Sequence, residues 1–331
     1  MLMRDSRIDF YKGILMWCVV YGHTINALLG GSVHVPIWLH TFVRTFDMPF
    51  FMILSGYFLK KSLERRGWWK VVLNRIYMIF FPTVIWTMLC CRVSFSMYYF
   101  LWSVLASSAI CLVGNKMSTW LPSRVSGAAE FCVYGVVLVL LHVVKVPWNL
   151  FYLFPFFAIG YYMHDARFQL TRRAYYIVAA CFVVLLCFWE NSYTPWKLGA
   201  LAWKDNPMAI FIYHYRFVLG IMGVYVMARI FDGVRMLLDD NCSLVRTVTE
   251  WGKETLALYI LQSIVVERLL AMAIAVASGH YAVVLPTVIV NFVGYVAAPL
   301  LSFIFMVGLM FLIRNLKGLG MCKYAFGFRA S

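Results

Sequence analysis

Charge is the scarcest commodity in this chain. Charged residues make up only 13% of it, and Asp plus Glu number 14 against 29 Lys plus Arg. A soluble domain carries about 25% charge, so a soluble globular fold is excluded. Cysteine pairing is missing too. Nine cysteines (Cys18, Cys90, Cys91, Cys111, Cys132, Cys181, Cys187, Cys242 and Cys322) form no CxxC pair, and most lie in apolar runs. That pattern argues against a disulfide framework or a metal site and reads as small packing residues. No internal repeat and no low-complexity tract is present, and the longest outer loop, about 191–207, is too short for a catalytic module. A cleavable leader is not expected, because Met1 to Asp9 is polar and the apolar stretch after it is long and carries Lys12 and His23.

What is abundant is apolar. Hydrophobic residues reach 63% and mean hydropathy is strongly positive. A span needs about 20 mostly apolar residues. Ten such stretches are expected: 10–29, 40–59, 75–92, 95–113, 126–144, 147–164, 174–190, 208–231, 253–272 and 284–313. Pro299 predicts a kink or a split in the last. The loops orient the map. With the N-terminus inside, 20 of the 29 Lys and Arg fall on the cytoplasmic side and four (Arg92, Lys145, Lys197 and Lys204) on the other; the remaining five lie within spans. That bias predicts an all-α polytopic bundle of about ten spans, both termini cytoplasmic, with residues 1–331 as one membrane domain. The net charge of +15 then reports cytoplasmic loops and anionic headgroups. No basic stripe is interleaved with exposed aromatics, so nucleic acid is rejected as a partner.

Ionisable groups inside apolar spans are costly, at about 2.5–3.5 kcal/mol each on insertion scales, and tend to face a protein interior or a wet cavity. Here they are Lys12 and His23 in span one, Arg44 and Asp47 in span two, Glu130 in span five, and His214 and Arg216 in span eight. Glu267 and Arg268 close span nine and read as outer-interface residues, and Glu130 as a headgroup contact. Lys12 and His23 are eleven residues apart, close to three helical turns, so they share a face with His23 about 16 Å higher. Span two runs back inward, which sets Asp47 near the level of His23 and Ser55 near that of Lys12. Two polar layers follow: an outer one of His23, Arg44, Asp47 and Arg216, and an inner one of Lys12, Ser55, Lys70 and Arg75. Plain structural readings stand beside these. Asp47 could neutralise Arg44, Ser55-Gly56 could serve close helix packing, and the basic run Lys60 to Arg75 could be a topology signal.

Four stretches resemble the acyltransferase 3 family of integral membrane enzymes: "RIDFYKGILMWCVVYGH", with ten residues between Lys12 and His23 in the manner of its basic-x10-His motif; "FDMPFFMILSGYFLKKS"; "KVVLNRIYMIFFPTVIW"; and, more weakly, "LFPFFAIGYYM" with "YAFGF". Departures exist. Many members carry His at the position of Asp47, Val72 interrupts an Arg-x-x-Arg pair where Lys70 can substitute, and "LYILQ" ends in Gln262 where many members have His. The resemblance implies transfer of an acyl group from cytoplasmic acyl-CoA to a hydroxyl of a glycan or lipid-linked glycan at the bacterial inner membrane. Acetyl is the first expectation and succinyl the second, and no metal is implied. It further implies that Lys70, Arg75 and the basic loop hold the CoA phosphates, with Lys12 near the pantetheine entrance beside Ser55. His23 is expected as general base, oriented by Asp47 or another outer-layer group, with Arg44 or Arg216 stabilising developing negative charge. Direct transfer and a transient acyl-enzyme both fit. The rival reading is a transporter or flippase whose buried charges line a path; such proteins often show paired broken helices in internal repeats, and none is found.

Overall fold

A computed structural model describes residues 5–29, 37–89, 98–120, 132–137, 149–163, 171–189, 208–239, 242–277, 286–317 and 325–327. The described residues form helices: α1 (Ser6–Leu29), α2 (Trp38–Arg66), α3 (Trp68–Leu89), α4 (Tyr99–Ser118), α5 (Leu150–Tyr162), α6 (Arg172–Cys187), α7 (Met208–Leu238), α8 (Ser243–Lys253), α9 (Thr255–Ala277) and α10 (Thr287–Lys317). A further helical stretch covers 132–137. Each expected span meets one of these helices except 126–144, of which only 132–137 is described. Glu130 and both chain ends lie outside the described residues. Among the described residues, five helices are long and apolar enough to cross a membrane: α3, α4, α9, α10 and the Phe211–Leu238 part of α7.

Two helices solve a proline problem in the same way. Pro82 in α3 and Pro299 in α10 lack an N–H, and the ring of each collides with the carbonyl four residues back. In both helices the turn just before the proline is widened to π geometry, Ile76–Phe80 and Val293–Ala297. Widening by one residue clears the collision without ending the helix. The kink or split expected at Pro299 thus takes the form of a π turn inside a continuous α10. A third π turn, Val265–Leu270 in α9, has no proline and contains Glu267.

The chain divides into two units, one of Met1–Asp47 with Gly223–Ser331, the other of Met48–Met222. In the first, α1 is the central element. It meets α8 through backbone: a Cβ on Gly13 would stand 1.9 Å from the Val248 carbonyl oxygen, and one on Gly252 1.6 Å from that of Asp9. Tyr21 Oη donates to the Gly294 carbonyl of α10 at 3.0 Å. At the start of α1, Arg7 Nε donates to Asp232 Oδ1 at 2.6 Å, and Arg235 Nη2 donates to Ser6 Oγ at 2.8 Å. These contacts fix the height and rotation of α1, and therefore of His23. In the second unit the core is aromatic and built on α5, where Phe154, Phe156, Phe157 and Tyr161 are fully buried.

Candidate active site

His23 lies near the end of α1, with its side chain 20% exposed. Its Nδ1 stands 3.0 Å from Oε1 of Glu267. An ionised carboxylate only accepts, so with Glu267 ionised Nδ1 carries the proton and Nε2 keeps its lone pair. Among the described residues no hydrogen bond engages Nε2. The imidazole thus has a carboxylate on its Nδ1 side and an unengaged Nε2.

Glu267 is itself held from behind. Gln262 Nε2 donates to Glu267 Oε1 at 3.2 Å and Ser263 Oγ donates to the same oxygen at 3.3 Å. Gln262 Nε2 also donates to Ser263 Oγ at 2.9 Å. Gln262 and Ser263 are fully buried. The π turn that begins at Val265 brings Glu267 onto the same side as these two groups.

Opposite this pair stand His40 and Arg44, one turn apart on α2. Arg44 Nε donates to His40 Nε2 at 3.3 Å. Gly22 packs beside them: a Cβ there would lie 3.7 Å from Arg44 Nε and 3.8 Å from His40 Nε2, ordinary contact distances. Arg44 is within electrostatic reach of both His23 and Glu267, and His40 is within reach of His23. One corner of the first unit thus gathers two imidazoles, a guanidinium and a carboxylate.

The residues singled out in the sequence fall as follows. His23 and Arg44 share this corner. Asp47, expected beside His23, is buried (3% exposed) within electrostatic reach of Cys18, and the carboxylate bonded to His23 is Glu267 instead. Lys12 is paired with Asp9 one turn earlier, Nζ to Oδ1 3.4 Å. In the second unit Ser55 and Arg75 meet: Arg75 Nη2 reaches the Ser55 carbonyl at 3.5 Å, while Ser55 Oγ donates to Phe51 O at 2.8 Å. Lys70 is exposed on the protein surface. Arg216 is buried in the second unit with its guanidinium carbon 3.6 Å from the Trp189 ring centre and 6.0 Å from that of Tyr152.

The Ser-Gly pair has a clear packing role. A Cβ on Gly56 would stand 2.0 Å from the Phe157 carbonyl oxygen, and one on Gly160 1.9 Å from that of Ile53. The two glycines let α2 and α5 touch backbone to backbone. Glu267, by contrast, reads from sequence as an interface residue, since it adjoins Arg268. The available signal was one acid inside an otherwise apolar run. His40 and Ser263 gave no signal beyond their residue type.

Residues 5–116 match the acyltransferase 3 family model, described as an acyltransferase domain. The chain is also similar to nodulation protein NolL of Sinorhizobium fredii, 24% identical over 296 residues, which is 79% of this chain and 78% of the relative. It is 28% identical over 186 residues to nodulation protein NolL of Mesorhizobium japonicum, covering 48% and 47% of the two chains. No solved structure matches. The matched region holds Lys12, His23, Arg44, Asp47, Ser55, Lys70 and Arg75. Gln262 and Glu267 lie beyond it.

Proposed function

We propose, from the acyltransferase 3 match over residues 5–116 and the His23–Glu267 pair, that this protein is an integral membrane O-acyltransferase. It moves an acyl group, acetyl first, from cytoplasmic acyl-CoA to a hydroxyl of a glycan or lipid-linked glycan, in the bacterial inner membrane, with residues 1–331 acting together. The observation that carries this reading is a half-buried imidazole with a carboxylate on Nδ1 and an uncommitted Nε2.

The chemistry follows as direct transfer. His23 Nε2 takes the proton of the acceptor hydroxyl as its oxygen attacks the thioester carbonyl. Glu267 orients the ring and offsets the positive charge that builds on it, where the sequence pointed to Asp47 or another outer-layer group. Arg44 faces the developing oxyanion, with Arg216 as the second candidate from the sequence. The C–S bond breaks, the proton passes from His23 to the thiolate, and CoA leaves as the thiol. Arg75 holds the donor phosphates, with Lys70 and the basic loop assisting and Lys12 and Ser55 near the pantetheine arm. Arg75 is suited to this because its guanidinium reaches a neutral carbonyl, that of Ser55, rather than a carboxylate. No metal takes part in this scheme.

Purified protein in nanodiscs with labelled acetyl-CoA and a glycan extract tests the reading. Wild type moves label to glycan. His23→Ala abolishes transfer and still binds CoA, whereas Arg75→Ala raises the KM for acetyl-CoA by about tenfold, the loss of one charge-assisted contact. Full transfer by both variants sinks the reading.

A further inference from the structure

Gln262 is buried completely, and its two ends are treated unequally. Both N–H groups of Nε2 are used, one on Glu267 Oε1 and one on Ser263 Oγ. Its carbonyl oxygen is buried with no hydrogen-bond partner among the described residues. Turning the amide over would set that oxygen against the Glu267 carboxylate, two acceptors face to face, so the orientation is forced. A buried acceptor left unpaired destabilises a fold, and more so in a membrane interior. Leucine at this position would bury the same bulk and leave nothing unpaired. A side chain that weakens the fold where a simpler one would strengthen it needs another reason to be there.

We infer that Gln262 is a positioning residue for catalysis: its amide N–H fixes Glu267 against His23 Nδ1, and this is why the chain tolerates the unpaired carbonyl. The inference rests on the His23–Glu267 reading above. Held by Gln262 and Ser263, Glu267 Oε1 stays on the imidazole instead of turning toward the Arg268 beside it in the same π turn. Without the Nε2 donor, the carboxylate is free to leave the ring, and His23 loses the partner that selects its Nε2 tautomer.

The inference predicts that rate and stability move in opposite directions, which a packing role cannot produce. The test uses the full chain in nanodiscs with labelled acetyl-CoA and the glycan acceptor, comparing Gln262→Leu, Gln262→His, His23→Ala and wild type. Gln262→Leu should lower kcat by about tenfold or more, the loss of one hydrogen bond to a charged group, with KM for acetyl-CoA unchanged. Its thermal midpoint should equal or exceed that of wild type. Gln262→His, whose ring N–H can replace the donor, should recover most of the rate. A Gln262→Leu variant that keeps wild-type kcat overturns the inference, and so does one whose rate falls only together with its thermal midpoint. Should His23→Ala keep full transfer, the underlying reading fails as well, so the two failures are told apart in one experiment.

Discussion

A neutral imidazole can be a base at either nitrogen, and an enzyme that needs one must exclude the other. In this protein Glu267 makes the choice, since its carboxylate accepts from Nδ1 and leaves Nε2 basic. Glu267→Gln tests this directly. The amide keeps the size of the side chain but can donate to Nδ1 and so favour the opposite tautomer. We expect kcat to fall by about 10²–10⁴-fold, the range for a disabled general base, with CoA binding unchanged by calorimetry. An unchanged kcat would remove Glu267 from the mechanism. The sequence made His23 legible, because an ionisable group eleven residues from Lys12 on an apolar helix has few reasons to be there. It hid Glu267, because the contact joins residues 23 and 267, and no spacing rule reaches across 244 positions (267 less 23). Beside Arg268 the acid looked like half of an interfacial ion pair, and Asp47, nearer in sequence to the motif, drew the assignment.

Helices of a membrane protein are held together by fit more than by a hydrophobic drive, since lipid tails are as apolar as leucine. The two glycine contacts of α2 with α5 and of α1 with α8 are such fits. Gly56→Leu adds a side chain where even a Cβ would lie 2.0 Å from a carbonyl oxygen. Backbone cannot yield as a flexible side chain can, so α2 and α5 must separate. We expect a loss of about 3 kcal/mol or more, beyond the usual cost of overpacking. Size-exclusion profiles and thermal midpoints in detergent should show aggregation or a large downward shift, while Gly233→Leu, which meets open space, should leave both near wild type. Equal profiles for the two would mean that the close approach is not needed. At this scale the sequence was informative where length and apolarity decide. Nine of the ten expected apolar runs meet a described helix, whereas α8 lies between two of those runs and was not expected. The π turns were only half legible: Pro82 and Pro299 announce a disturbance, but nothing in "VVERLL" announces the widened turn that carries Glu267.

Across the whole molecule, sidedness decides how donor and acceptor can meet. Acyl-CoA is made and kept in the cytoplasm, whereas His23 sits toward the outer end of α1 if the chain begins inside. On the same condition, the 20-to-4 partition of Lys and Arg would set the basic loop after α2, and so Arg75, on the cytoplasmic side. Donor and acceptor would then arrive from opposite faces and meet at His23. A transporter reading predicts otherwise, because a pump moves its cargo whether or not CoA is present. Vesicles of both orientations separate the two. With labelled acetyl-CoA supplied only outside, inverted vesicles, whose cytoplasmic face is outward, should transfer label to glycan enclosed within. Right-side-out vesicles should transfer none until made permeable. The rate in inverted vesicles should also fall as salt rises, since phosphates held by exposed Lys70 and its neighbours are screened over about 8 Å at physiological ionic strength. Equal transfer in both orientations would break the link between the charge bias and the position of the donor site. Glycan movement across the membrane without acetyl-CoA would return the buried charges to a translocation path.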